Sequence, residues 1–136
     1  MKYTKIKLPN GGNLCYTKND ISKTTAIEII FNCGARCDTI PGLAHFTEHM
    51  FFTGTDKMSK EEISKKYFDF INVNAFTDFT RIGFEGNVFT NEFEDYVSTV
   101  AMLINESTFK QEAVDKEIKV VQQESCGEIT IEKQEN

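Results

Sequence analysis

The sequence predicts an α+β fold, an antiparallel sheet packed with helices in a layered sandwich, on three observations. Short stretches of alternating apolar and polar residues occur in pairs joined by turn residues. Apolar residues recurring at three- and four-residue spacing follow and interrupt those stretches, and capping signals mark where the helical periods begin. At 136 residues, 40% hydrophobic and 26% charged, the chain is long enough to bury one core. That composition excludes a collagen, a low-complexity chain or a highly charged disordered one.

Residues 3–8 alternate and run into Pro9-Asn10-Gly11-Gly12, a hairpin turn, after which 13–18 read as the returning strand. Residues 24–32, rich in Thr, Ile and Phe, read as a well-buried strand, and 33–41 as a loop. The fixed φ of Pro41 suits a helix entry, so a helix is expected from Gly42 to about residue 53. Ser59-x-x-Glu62 is a capping box that opens a second helix, to about residue 70. Residues 72–88 alternate with period two around Gly83 and Gly86, which predicts two antiparallel strands with Arg81 as a surface or cross-strand partner. Asn91-x-x-Glu94 reads as another capping box, before a helix whose buried face is Phe93, Val97, Val100, Ala101 and Ile104. Thr108 is expected to cap a last helix, with Val114, Ile118 and Val121 marking its buried side. Residues 127–136 read as a frayed polar tail, and the twelve phenylalanines as core.

Charge narrows the function classes. The net charge is −6, divided into +3 over residues 1–60 and −9 over 61–136, with no basic stripe, so no nucleic-acid partner is expected. No apolar run approaches the ~18–20 residues of a membrane span, so no membrane partner is expected either. The first residues lack the apolar core of a secretory signal. Cys15, Cys33, Cys37 and Cys126 are too few and scattered for a disulfide framework, and free thiols in a cytoplasmic protein are the expectation. Cys33-x3-Cys37 lacks the second Cys/His pair of a zinc knuckle.

The two histidines of the chain fall in one pentapeptide, His45-Phe46-Thr47-Glu48-His49. On a helix, residues four apart lie one turn apart on the same face, so both imidazoles can reach one metal ion. Glu48 shares that face and could deprotonate a water on the ion, which makes this the inverted zincin pattern. A hydrolytic zinc site wants a third protein ligand from another element. Glu117 and Glu124 lie seven apart on the last helix and point the same way; spacing alone leaves open whether they are solvated helix glutamates or groups of the site.

Residues 41–55, Pro-Gly-Leu-Ala-His-Phe-Thr-Glu-His-Met-Phe-Phe-Thr-Gly-Thr, resemble the active-site segment of the pitrilysin/insulinase family of zinc metallopeptidases. Leu8-Pro9-Asn10-Gly11 is similar to that family's opening hairpin, Asn74-Ala75-Phe76-Thr77 to its Asn-Ala-aromatic-Thr strand, and Lys116-Glu117 through Glu124 to its last site helix. The resemblance implies that His45, His49 and Glu124 ligate one Zn2+, and that Glu48 is the general base. It implies that Glu117 supports a ligand, and that Asn74 and Ala75 sit on an edge strand where an extended peptide substrate adds by main-chain hydrogen bonds. It further implies a zinc-dependent metalloendopeptidase, with residues 1–126 the N-terminal part of its catalytic domain. That part would require a complementary peptidase domain or a second copy, and would cleave poorly alone. Phe70-Ile71-Asn72-Val73 stands where the family usually has a Gly-Gly pair.

Two alternatives compete. A lyase similar to S-ribosylhomocysteinase would use the same helix with Cys126 as third ligand, but it needs a further cysteine between helix and ligand, and none occurs between Cys37 and Cys126. A non-catalytic relative of the peptidase family would be expected to have eroded ligands, whereas all four site residues are present.

Overall fold

The computed structural model describes residues 2–134, with side chains through Ser125. In chain order the elements are β1 (Thr4–Lys7), β2 (Asn13–Tyr16), β3 (Thr24–Phe31), α1 (Leu43–Met50), α2 (Lys60–Phe68), β4 (Val73–Thr77), β5 (Ile82–Phe89), α3 (Phe93–Glu106) and α4 (Gln111–Gln134). Strands β1 and β2 form an exposed antiparallel hairpin, closed where Leu8 N–H donates to the Gly12 carbonyl at 2.8 Å. The other three strands form an antiparallel sheet in the order β3-β5-β4, so β5 is central and β4 is an edge. The α+β expectation holds, and the last helix continues through the 126/127 division as far as Gln134.

Burial on β5 alternates, and this sets the faces of the whole sheet. Ile82, Phe84 and Val88 are buried toward the helices, and Glu85, Asn87 and Phe89 are exposed. Register carries the alternation to β4. Val73, Ala75 and Thr77 stand opposite Gly86, Phe84 and Ile82 on the helix side, and Asn74 and Phe76 lie on the far side. The core joins Ile63, Tyr67 and Phe70 from α2 and its exit to Phe84 and Val88 of β5 and to Tyr96, Val100 and Leu103 of α3. At its centre the Tyr67 hydroxyl donates to the Asn74 carbonyl at 2.7 Å and lies 3.3 Å from the Tyr96 hydroxyl. Burial pushes both phenols above their ordinary pKa of 10.0.

Several expectations are corrected. β3 is only half-buried, because it is the other edge strand and one of its faces is open. Asn91 does not form a capping box: a 3-10 turn over Thr90–Glu92 leads into α3, whose N-cap is Glu92 with no side-chain bond. The buried stripe of α3 is Tyr96, Thr99, Val100 and Leu103, rotated from the face that the sequence predicts, of which Phe93 and Ala101 are exposed. Thr108 does not cap α4. Its N–H donates to the Gly54 carbonyl at 3.1 Å, and the helix opens with Val114 N–H donating to Lys110. Ile118 is exposed, and the inward side of α4 runs through Glu117 and Val121. Of the phenylalanines, only Phe70 and Phe84 are buried in the core, while Phe31, Phe68, Phe79, Phe89, Phe93 and Phe109 are exposed. The Ser59 capping box is formed, with Ser59 and Glu62 each accepting from the other's backbone N–H. No helix among the described residues is long and apolar enough to cross a membrane.

Candidate metal centre

The entry into α1 is fixed locally. Gly42 takes a left-handed conformation (φ 88°) that an L-residue resists, and the Asp38 carboxylate accepts from Gly42 N–H at 3.1 Å and Ala44 N–H at 2.9 Å. The helix buries Ala44 and Met50, which turns His45, Glu48 and His49 toward α4 and β4. There the Nε2 atoms of His45 and His49 lie 3.1 Å apart, and Glu124 Oε2 from α4 lies 3.4 Å from the first and 3.5 Å from the second. Among the described residues these three form the one group of His, Cys, Asp or Glu whose donor atoms converge closely enough to hold a metal ion.

The spacing fits such an ion. A tetrahedral site with arms of ~2.0–2.1 Å has edges of about 3.3 Å, and the three separations straddle that value. The donor set, two imidazole nitrogens and one carboxylate oxygen, is also the kind that zinc favours while leaving a fourth position open. Three lone-pair atoms aimed at one point repel each other unless a cation or protons lie between them.

Glu117 stands behind this triangle. It is 4% exposed, and both its oxygens are engaged: Oε2 accepts from His49 Nδ1 at 3.2 Å and Oε1 pairs with the Lys60 ammonium. Burial alone would raise this carboxyl, but the Lys60 and His49 bonds outweigh it and hold it below its ordinary value. A proton kept on His49 Nδ1 leaves Nε2 bare toward the triangle.

Glu48 is held from the sheet, where Thr77 Oγ1 donates to its Oε2 at 2.6 Å. Just before β4, the Asn72 carbonyl accepts from Asn87 N–H. Counting by twos, Asn74 and Phe76 bond to β5, and the main-chain groups of Val73, Ala75 and Thr77 face the open edge. A cleft of about 280 Å³ lies between that edge and the site, bounded by Glu48, His49, Lys60 and Glu117 on one side and by Asn74 and Ala75 on the other. The Asn74 side chain itself turns to the far face, where Nδ2 donates to Glu85 at 3.3 Å.

The structure therefore gathers His45, His49, Glu124, Glu48 and Glu117, and sets Asn74 and Ala75 at the edge of the same cleft. Two neighbours were not singled out from sequence. Lys60 gives no local signal of its contact with a residue 57 positions away, whereas strand alternation in Asn-Ala-Phe-Thr does place Thr77 on the same face as Ala75. Arg81 is a cross-strand partner, pairing with Asp78 at 2.9 Å and Glu28 at 3.7 Å. Cys15, Cys33 and Cys37 are free thiols, and the Cys126 side chain lies outside the described residues.

Comparison with known proteins gives the family. Residues 14–134 match the family model described as insulinase, peptidase family M16. An uncharacterized zinc protease, YmxG, of Bacillus subtilis is 34% identical over 119 residues, covering 85% of this chain and 29% of the relative. An insulin-degrading enzyme homolog of Dictyostelium discoideum is 28% identical over 127 residues, covering 90% of this chain and 13% of the relative. The chain thus spans less than a third of the length of these relatives. In fold it is similar to a protease from Helicobacter pylori, with a TM-score of 0.81 at 20% identity over 90% of this chain and 30% of that one. A family model that covers nearly the whole chain, on a fold shared with a solved protease, establishes that this chain belongs to the insulinase family, peptidase family M16.

Proposed function

We propose that this chain carries the metal centre of a zinc metalloendopeptidase acting on extended peptides, with His45, His49 and Glu124 holding one Zn2+. The observation that carries the reading is the triangle of donor atoms at 3.1–3.5 Å, beside a glutamate fixed by its own hydrogen bond. Bound there, zinc supplies a Lewis acid for a peptide carbonyl and acidity for a water molecule. Glu48 acts as the base: with one oxygen bonded to Thr77, the other accepts a proton from water and passes it to the leaving amine. Glu117 orients the His49 ring. The outward main-chain groups of Ala75 pair with a substrate strand, and Asn74 borders the same cleft.

The chain's own surface supports a complementary peptidase domain, or a second copy, as the partner for turnover. A groove of about 710 Å³ lined by Ile40, Leu43, Phe46, Ile118 and Val121 flanks α1 and α4, and such an apolar surface gains by being covered. The test is hydrolysis of an unstructured peptide by wild type and Glu48→Gln with protein in excess over peptide, so that slow single-turnover cleavage is read, and with bound zinc measured in both. Glu48→Gln should keep one equivalent of zinc and lose about 10²–10⁴-fold in rate. A variant that cleaves at the wild-type rate, or a wild type that takes up no zinc, overturns the reading.

A further inference from the structure

We propose that Lys60 is a positioning residue for the metal centre, holding Glu117 so that His49 keeps its proton on Nδ1 and presents Nε2 to the ion; this rests on the metal reading above. Lys60 is the first residue of α2, directly after the Ser59 cap. A cation there opposes the helix dipole, and Glu61 and Glu62 already supply the acidic charge that this terminus favours. Its ammonium therefore does nothing for α2 itself. It reaches instead across the cleft wall to Glu117, a carboxylate with 5% of its side chain exposed whose other oxygen bonds His49 Nδ1.

The physical chain is short. A buried carboxylate needs a partner for each oxygen, and Glu117 has two, one from α2 and one from α1. Without Lys60 the carboxylate keeps a single bond and is free to rotate. The His49 ring then loses the fixed acceptor that selects its tautomer, and the proton can sit on Nε2, the atom 3.1 Å from His45 and 3.5 Å from Glu124. Lys60 also lets the α1–α2 connection set the geometry of a site whose ligands lie on α1 and α4.

The experiment compares wild type, Lys60→Met and Lys60→Arg. Metal-free protein is examined by imidazole ¹⁵N–¹H NMR, and zinc affinity is read by competition with a chromophoric chelator. Lys60→Met should shift His49 from a single Nδ1–H tautomer to a mixture and weaken zinc binding about 10–100-fold, and Lys60→Arg should restore both to within about threefold. An unchanged tautomer and affinity in Lys60→Met overturns the proposal, as does equal weakening in both variants, because a purely structural lysine would not be rescued by charge. If wild type binds no zinc, the metal reading fails separately, and the metal-free tautomer comparison still decides the role of Lys60. If Lys60→Met does not fold, the wild-type Lys60 ammonium signal decides: slow hydrogen exchange supports the pair with Glu117, and fast exchange like that of exposed lysines overturns it.

Discussion

Zinc should raise the melting temperature of this chain by an amount set by its free concentration relative to the dissociation constant, and Glu124→Ala should abolish most of the rise. The three converging donor atoms come from two helices, α1 and α4, so a metal ion bound by them would require the folded arrangement and stabilise it by linkage. At free zinc 100 times the dissociation constant the gain is about 2.7 kcal/mol. An unfolding entropy of about 2.1 cal/mol/K per residue over 136 residues converts this to an upshift of roughly 9 °C. Glu124 supplies one of the three donor atoms, so its loss should weaken binding at least as much as the ~100-fold loss of a supporting group. At the same free zinc the gain then falls to about 0.4 kcal/mol, an upshift of roughly 1–2 °C. The assay is thermal unfolding followed by far-ultraviolet circular dichroism in a chelator-buffered zinc series. Glu112→Ala, which removes an exposed surface pair with Lys116, serves as a control that should keep the full rise. A Glu124→Ala protein whose zinc-dependent upshift equals that of wild type would falsify the three-ligand arrangement.

Other perturbations test the supports of the site. Thr77→Val removes the donor that fixes Glu48 and should lower peptide hydrolysis about tenfold at unchanged zinc content; an unaltered rate would show that Glu48 needs no such anchor. Gly34→Ala places a Cβ 2.3 Å from the Asp78 carbonyl and 2.4 Å from Arg81 N, where only backbone can yield, so a loss of about 1–3 kcal/mol is expected in urea unfolding. Wild-type stability in that variant would mean that the 34–37 segment is not seated on the β4–β5 turn. Asp78 is held near pH 2, below its ordinary 3.8, by the Thr80 N–H first and by Arg81. Because the folded value is the lower one, its contribution is complete above about pH 4 and disappears as pH falls through 2. Asp78→Asn should therefore unfold at lower urea than wild type at pH 6, with the gap closing by pH 2; a gap independent of pH refutes that assignment.

Much of the site was legible because its logic is local. His45, Glu48 and His49 share a helix face through spacing alone, and the seven-residue step from Glu117 to Glu124 turns both toward the histidines, Glu117 buried and Glu124 exposed. The Ser59 cap is likewise a contact between residues three apart. The misreadings lie where distant packing overrides a local pattern. Asn91 and Glu94 have capping-box spacing, yet a 3-10 turn starting at Thr90 moves the helix entry past Asn91. Tyr96 is amphipathic and adds nothing to the apolar pattern of α3, although its ring fills the space over Gly86 and its hydroxyl is satisfied by Tyr67. The contacts of Lys60 with Glu117 and of Thr77 with Glu48 join residues 57 and 29 positions apart, and no periodicity encodes such a pair.

The open side of β4 has a consequence for where a guest chain would be cut. Tyr67 locks the strand from behind at the Asn74 carbonyl, and Thr77 ties its far end to Glu48, so the strand acts as a rigid ruler. Its free amide and carbonyl groups recur only at every second residue, about 6.8 Å apart. A peptide sliding along this ruler re-seats in steps of two residues, since a step of one would turn all its side chains over. Scission products of a substrate that alternates large and small side chains should therefore differ in length by even numbers.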